Sequence, residues 1–241
     1  MADLLPDLGT ILGVWAHPDD ETYTSGGIMA LAAKEGRRVA CLTATDGDQG
    51  SWDAKRWPHG EALAVIRQGE LQEALRILGV SELVRLGYPD GRCSEVDEDE
   101  AISKIVEVMR QVKPDSVLTF GPDGATGHPD HKAVSRWATE AFRLAAPLGS
   151  RLYHAAITQA WVDKYLEKIN EFDVFPNGAP VTAVEDLAID FTLPDELNDL
   201  KVKALKAHLS QVEGMIQSWG TEFMYQGNRD EVFRLAEHKL A

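Results

Sequence analysis

Short apolar runs alternate along this chain with stretches whose apolar residues recur at helical spacing, and nothing else in the sequence narrows the fold as much. Candidate strands fall at residues 11–16, 38–45, 82–86, 116–120, 152–161 and 187–191. Between the early ones lie segments such as Leu71, Ala74, Leu75 and Leu78, closed by Gly79, which is the pattern of an amphipathic helix with a glycine stop. Strand–helix alternation of this kind predicts a Rossmann-like α/β fold, a mostly parallel sheet flanked by helices. Residues 195–210 and 229–239 read as further helices. No repeat, linker or low-complexity tract divides the chain, so residues 1–241 are expected to form a single domain.

A parallel sheet places its ligand outside the carboxyl ends of its strands, and the loops there carry the chemistry. The first strand leads into Ala16-His17-Pro18-Asp19-Asp20-Glu21. His17 and Asp20 are three apart, so one turn can aim both at a single point, with Asp19 between them. A dinucleotide fingerprint needs glycines at this turn; carboxylates there repel phosphate instead. The second strand exits into Thr45-Asp46-Gly47-Asp48-Gln49-Gly50 and the third into Gly87-Tyr88-Pro89-Asp90-Gly91. Turn chemistry explains most of both, although the former can line a polar pocket and Asp90 can accept a hydrogen bond from a hydroxylated substrate. Arg67 and Glu70 share a helix face and read, on pattern alone, as a structural ion pair. The fourth strand leads into Gly127-His128-Pro129-Asp130-His131. Pro129 suits a first helical position, and two histidines beside a carboxylate at this edge are hard to explain by packing.

One carboxylate, Asp20, and two imidazoles, His17 and His131, suit a zinc ion with an open fourth position. Such an ion activates water near neutral pH. Asp19 stands ready as the base, and a protonated His128 as hydrogen-bond donor to a developing oxyanion. The reaction implied is attack of zinc-activated water on an amide or ester carbonyl.

Composition limits the partners. Lys and Arg number 24 against 39 Asp and Glu, a net charge of −15, which argues against nucleic acid and anionic membranes, both of which need cationic patches. Cys41 sits in an apolar run and Cys93 in a polar loop, without metal or redox spacing. The first residues lack the apolar core of a signal peptide, and a cytoplasmic protein is expected. Of the other histidines, His59 and His238 read as surface residues, His154 as a satisfied core residue, and His208 as either structural or near the site. The tryptophans and the Phe223-Met224-Tyr225 group read as core and pocket wall.

The stretches at 16–21, 45–50 and 121–131 together resemble the LmbE/PIG-L family of zinc-dependent de-N-acetylases, from Leu12 through the Ala-His-Leu-Ser-Gln stretch at 207–211. The resemblance implies a Rossmann-like fold and removal of acetyl groups from N-acetylglucosamine-type sugars or related glycoconjugates. It implies His17, Asp20 and His131 as zinc ligands, Asp19 as general base and His128 as stabiliser of the tetrahedral intermediate. It also implies substrate-side roles for Arg67, reversing the ion-pair reading, and for Asp90. Fe2+ in the cell and a homo-oligomeric assembly stay open. Competing readings are a zinc amidase acting on a thiol conjugate, an Fe(II) oxygenase built on the same two histidines and carboxylate, and a sugar-binding protein with structural zinc. The last is disfavoured because closed structural sites use four protein ligands.

Overall fold

The computed structural model describes residues 5–240. Its strands are β1 (Ile11–Trp15), β2 (Val39–Thr45), β3 (Glu82–Tyr88), β4 (Ser116–Thr119), β5 (Arg151–Ala155), β6 (Leu187–Thr192) and β7 (Asp230–His238). They form one sheet in the order β3-β2-β1-β4-β5-β7-β6. The first five run parallel, while β7 is antiparallel to both β5 and β6. Strands β1, β2 and β4 are buried along their whole length, which is why they appear in the sequence as apolar runs interrupted only by serine and threonine, with no charged residue and no alternating pattern.

Helices α1 (Asp20–Lys34) and α2 (Glu61–Leu78) pack on each other, and α3 (Glu98–Val112) packs with α4 (Pro129–Ala145). From β1 the chain winds through β2 to β3; from β4 it winds the other way to β5. β1 and β4 are direct neighbours, with Ile11 opposite Ser116 and Gly13 opposite Leu118. The loops that leave their carboxyl ends therefore diverge, and a crevice opens between them. Both sequence clusters of histidine and aspartate sit on that crevice.

After β5 come α5 (Gln159–Ile169), α6 (Asp195–Ala207), α7 (Leu209–Trp219) and α8 (Thr221–Gly227). Here the fold departs from the expected pattern in three places. The run at 152–161 stops as a strand at Ala155, because Thr158 caps α5 by accepting the Trp161 N–H at 3.2 Å. The helix expected at 195–210 is broken at His208, whose φ of −78° and ψ of 54° are not helical; α6 packs against α1 and α2. The run at 229–239 holds strand β7 (Asp230–His238) and not a helix. Glu231 and Phe233 point into the protein with the alternation of a strand, and β5 and β6 supply its hydrogen-bonding partners on either side.

Helix α1 also carries a break, at Ser25 (φ −141°, ψ 15°). The break frees the Gly27 and Ile28 N–H groups, which donate to the Glu231 carboxylate at 2.7 and 2.8 Å. Lys201 Nζ lies 2.8 Å from the same carboxylate, and neither side chain is exposed. No helix among the described residues is long and apolar enough to cross a membrane.

Candidate active site

His17 leaves the end of β1, and its backbone N–H donates to Asp20 Oδ2 at 2.7 Å. That local bond turns the Asp20 carboxylate back beside its imidazole. His17 Nδ1 then lies 3.5 Å from Asp20 Oδ2 and 3.1 Å from His131 Nε2, and His131 Nε2 lies 3.4 Å from Asp20 Oδ1. Ligands about 2.0–2.1 Å from a tetrahedral zinc stand roughly 3.3 Å from one another. The two ring nitrogens, and a carboxylate oxygen of Asp20 beside each of them, thus stand at separations close to that spacing. They come from two loops that only the sheet brings together.

Each ring is held with the correct nitrogen forward. His131 Nδ1 bonds the Gly124 carbonyl at 3.0 Å, and the ring stacks on Phe120 with centroids 4.0 Å apart, so Nε2 faces His17 and Asp20. His17 Nε2 is 3.0 Å from Asp90 Oδ1 and 3.2 Å from Asp130 Oδ2, leaving Nδ1 forward. Asp130 is fully buried and accepts the Gly91 and Cys93 N–H groups at 2.7 and 3.0 Å. Carboxylates and carbonyls behind metal-binding imidazoles fix their tautomer and raise their basicity. The electrostatics agree with a cation at this point. Burial would raise Asp20, but His131 and His17 outweigh it and hold the carboxyl well below the usual range. Burial likewise acts against a charge on His17, yet its bonds to Asp130, Asp20 and Asp90 push its pKa well up.

Asp19 takes no part in that triangle. It precedes α1 at φ 145°, a conformation costly for a residue with a side chain. Its N–H donates to Glu21 Oε2 at 3.0 Å, while Glu21 Oε1 lies 3.3 Å from His208 Nε2. Both Glu21 and His208 are completely buried. Burial, offset in part by Arg67, raises the Asp19 carboxyl to about 7.

Arg67 and Glu70 do not pair with each other. Glu70 accepts the Ser210 N–H and hydroxyl at 2.7 and 2.6 Å. Arg67 donates to the carbonyls of Pro18, Gly47 and Gly50 and lies 3.5 Å from Asp19 and 3.6 Å from Asp90. Gly47, at φ 69°, makes room for it: a Cβ there would come within 2.6 Å of Arg67 Nε. Nη1 and Nη2 of this buried residue are therefore taken by the protein's own carbonyls, while Nε has no hydrogen-bond partner among the described residues. Arg67 and Asp90, the two residues expected on the substrate side, stand behind Asp19 and His17. Asp48, in the loop after β2, accepts the Asp90 N–H at 2.8 Å.

His128 lies beside the triangle, its ring centroid 4.8 Å from that of His17. Its Nδ1 accepts the Asp130 N–H at 3.2 Å as the cap of α4. Burial, with the His17 charge second, lowers its pKa. With Nδ1 accepting that bond, Nε2 is the ring nitrogen left to carry a hydrogen and donate. The sequence reading missed Asp130 and the Glu21–His208 pair. Asp130 reads as a spacer between two histidines, and only its position between two candidate ligands could have marked it. Cys93 is buried, not in an open loop; both cysteines are free.

A cavity of about 320 Å³ opens onto this cluster, lined at its inner end by Asp19, Asp20 and His131. Residues 12–142 match the PIG-L family model, described as GlcNAc-PI de-N-acetylase. A 1D-myo-inositol 2-acetamido-2-deoxy-alpha-D-glucopyranoside deacetylase from Rhodococcus erythropolis is 31% identical over 95% of this chain and 89% of its own. Among solved structures, the conserved protein TT1542 from Thermus thermophilus superposes with a TM-score of 0.64 at 26% identity, over 97% of each chain. The N,N'-diacetylchitobiose deacetylase from Pyrococcus horikoshii does so with a TM-score of 0.68 at 24% identity, over 95% of this chain and 84% of that one; at that identity the likeness is one of fold.

Proposed function

This chain belongs to the PIG-L family, and from that premise we propose that it is a zinc-dependent hydrolase removing the acetyl group from an N-acetylglucosamine-type sugar or related glycoconjugate. One observation carries the reading. His17 Nδ1 and His131 Nε2 stand 3.1 Å apart with an Asp20 carboxylate oxygen 3.5 Å from the first and the other 3.4 Å from the second, and a separate carboxylate, Asp19, lines the cavity there. His17, Asp20 and His131 would hold the ion. When bound, it polarises the amide carbonyl and lowers the pKa of a water toward about 7. Three protein ligands leave a position open, as catalytic sites require.

The rest is done by the chain's own groups. Asp19 accepts a proton from the attacking water as the water oxygen bonds to the acyl carbon. Its raised pKa, about 7, suits a base that must later give the proton back at neutral pH. Arg67 limits that rise and fixes the carboxylate's direction. As the carbonyl oxygen gains negative charge, His128 Nε2–H donates to it. The C–N bond then breaks, Asp19 returns the proton to the leaving nitrogen, and acetate and a free amine depart. Asp90 and Asp130 keep His17 Nδ1 turned to the ion.

The test uses the zinc-restored protein with acetate and amine release measured together, which separates acetyl from larger acyl donors. Asp19→Ala is expected to lose about 10²–10⁴-fold in kcat at unchanged zinc stoichiometry. His17→Ala and His131→Ala are expected to lose the metal. A fully active Asp19→Ala would remove Asp19 as the base, and full zinc in both histidine variants would remove the ligand set.

A further inference from the structure

We infer that the cavity beside the metal cluster binds an uncharged, apolar aryl or alkyl group carried by the substrate close to its scissile amide. The inference rests on the de-N-acetylase reading and narrows its substrate class. An acetyl group ends in a single methyl, far too small to occupy a cavity of about 320 Å³. Away from Asp19, Asp20 and His131, the walls of that cavity are chiefly aromatic and aliphatic, with Trp161, Phe175, Trp219 and Phe223 supplying four rings and Met215 and Met224 two thioethers.

These rings form a continuous packed set. Trp161 meets Phe175 and Tyr165 at 5.9 and 5.8 Å, Tyr165 meets Phe223 at 5.6 Å, and Phe223 meets Trp219 at 5.3 Å. They come from α5, the segment after it, α7 and α8, so the part of the chain that follows β5 builds this wall. A hydroxyl-rich partner needs a hydrogen-bonding group for each hydroxyl it buries, and rings and thioethers supply few.

Charge points the same way. Neither lysine nor arginine lines the cavity, whereas Asp19, Asp20 and Asp230 do; Arg67, the nearest guanidinium to Asp19 among the described residues, is committed behind the loops. Away from the metal end, a phosphate, sulfate or carboxylate on this part of the substrate would meet Asp230 and no lysine or arginine among the described residues. Two sources can bring the apolar group: the acyl chain itself, or the group attached to the sugar's anomeric oxygen.

The experiment measures kcat/KM for amine release by the zinc-loaded full chain. One series is glucosamine N-acylated with acetyl, butyryl, hexanoyl and benzoyl groups; the other is the methyl, hexyl and phenyl β-glycosides of N-acetylglucosamine. N,N'-Diacetylchitobiose and N-acetylglucosamine 6-phosphate serve as polar and anionic comparators. Each buried methylene is worth about fourfold, so a rise of at least tenfold is expected along one series, which also identifies the source, with the phosphate the poorest substrate. The gain should shrink in Phe223→Leu. Flat kcat/KM along both series, or a preference for chitobiose or the phosphate, overturns the inference while leaving deacetylation intact.

Binding is checked apart from turnover by titrating phenyl β-D-glucopyranoside, which has no amide, against the fluorescence of Trp161 and Trp219. Saturable quenching that weakens in Phe223→Leu is expected, and its absence counts against the cavity. If no sugar amide is cleaved but quenching persists, the deacetylase reading fails and the apolar site stands.

Discussion

At the scale of single residues, the proposed metal site depends on groups outside its ligand set. His17 presents Nδ1 because Nε2 is held by Asp90 and Asp130, and Asp130 is in turn held by two backbone N–H groups. Removing such a partner ordinarily costs about 10–100-fold in metal affinity. Asp130→Ala is therefore expected to weaken zinc binding by that factor, read by competition with a chromogenic chelator; wild-type affinity would show that Asp90 alone orients the ring. Glu21 does for Asp19 what Asp130 does for His17. Its carboxylate holds the Asp19 N–H on one oxygen and faces His208 and Thr22 with the other, which keeps Asp19 at its unfavourable φ. A glutamine there cannot accept on both sides. Glu21→Gln should lower kcat by about 10–100-fold while KM and zinc content change little. Equal loss of zinc and activity would instead mean that Glu21 supports the ligands.

At the scale of elements, β7 ties the late part of the chain to the loop that bears the site. Glu231, from β7, caps the second half of α1 after the break at Ser25, and Lys201, from α6, neutralises it in complete burial. Taking away one member of a buried pair strands the other charge, at a cost of about 3–5 kcal/mol. Lys201→Met should show that loss as a lower urea midpoint, and Lys201→Met with Glu231→Gln should recover part of it. A single variant as stable as wild type would mean that the two N–H donors alone satisfy Glu231. This element is also the least legible in the sequence. Its charged residues interrupt the apolar pattern, and residues 229–239 fit a helical period as well as a strand; pairing with β5 and β6 decides the matter, and no local pattern encodes those partners. By contrast β1 and β4 are buried on both faces and announce themselves as apolar runs. The spacing of His17 from Asp20 and of His128 from His131 likewise survives into the structure, because each pair is set by one local turn. What lay beyond reading were contacts across long stretches of chain: Asp130 with His17, His208 with Glu21, Arg67 with three carbonyls. They depend on where the sheet places its loops.

For the whole molecule, the metal cluster bridges the two directions in which the sheet is wound. His17 and Asp20 follow β1 and His131 follows β4, so the unfolded chain does not assemble the three proposed donors and an ion held by them would bind the folded state alone. Without the ion, Asp20, Asp90 and Asp130 crowd around His17 in a protein whose net charge is already −15. Binding to the folded state stabilises it by about 4 kcal/mol at a free metal concentration a thousand times Kd. For a domain of this size each kcal/mol moves Tm by roughly 2–4 °C, so zinc should raise Tm by about 8–16 °C over the chelated protein in differential scanning calorimetry. The same titration on His131→Ala should give only a small rise, because two donors on one loop no longer bridge β1 to β4. Magnesium, which seeks six oxygen ligands, should not substitute for zinc in the wild type. If chelation left Tm unchanged in wild type, the donors would have to be held in place by packing alone, and the imidazoles and carboxylates around His17 would be a buried hydrogen-bond network with no ion at its centre. If zinc raised Tm equally in His131→Ala, the stabilising ion would lie elsewhere in this acidic chain.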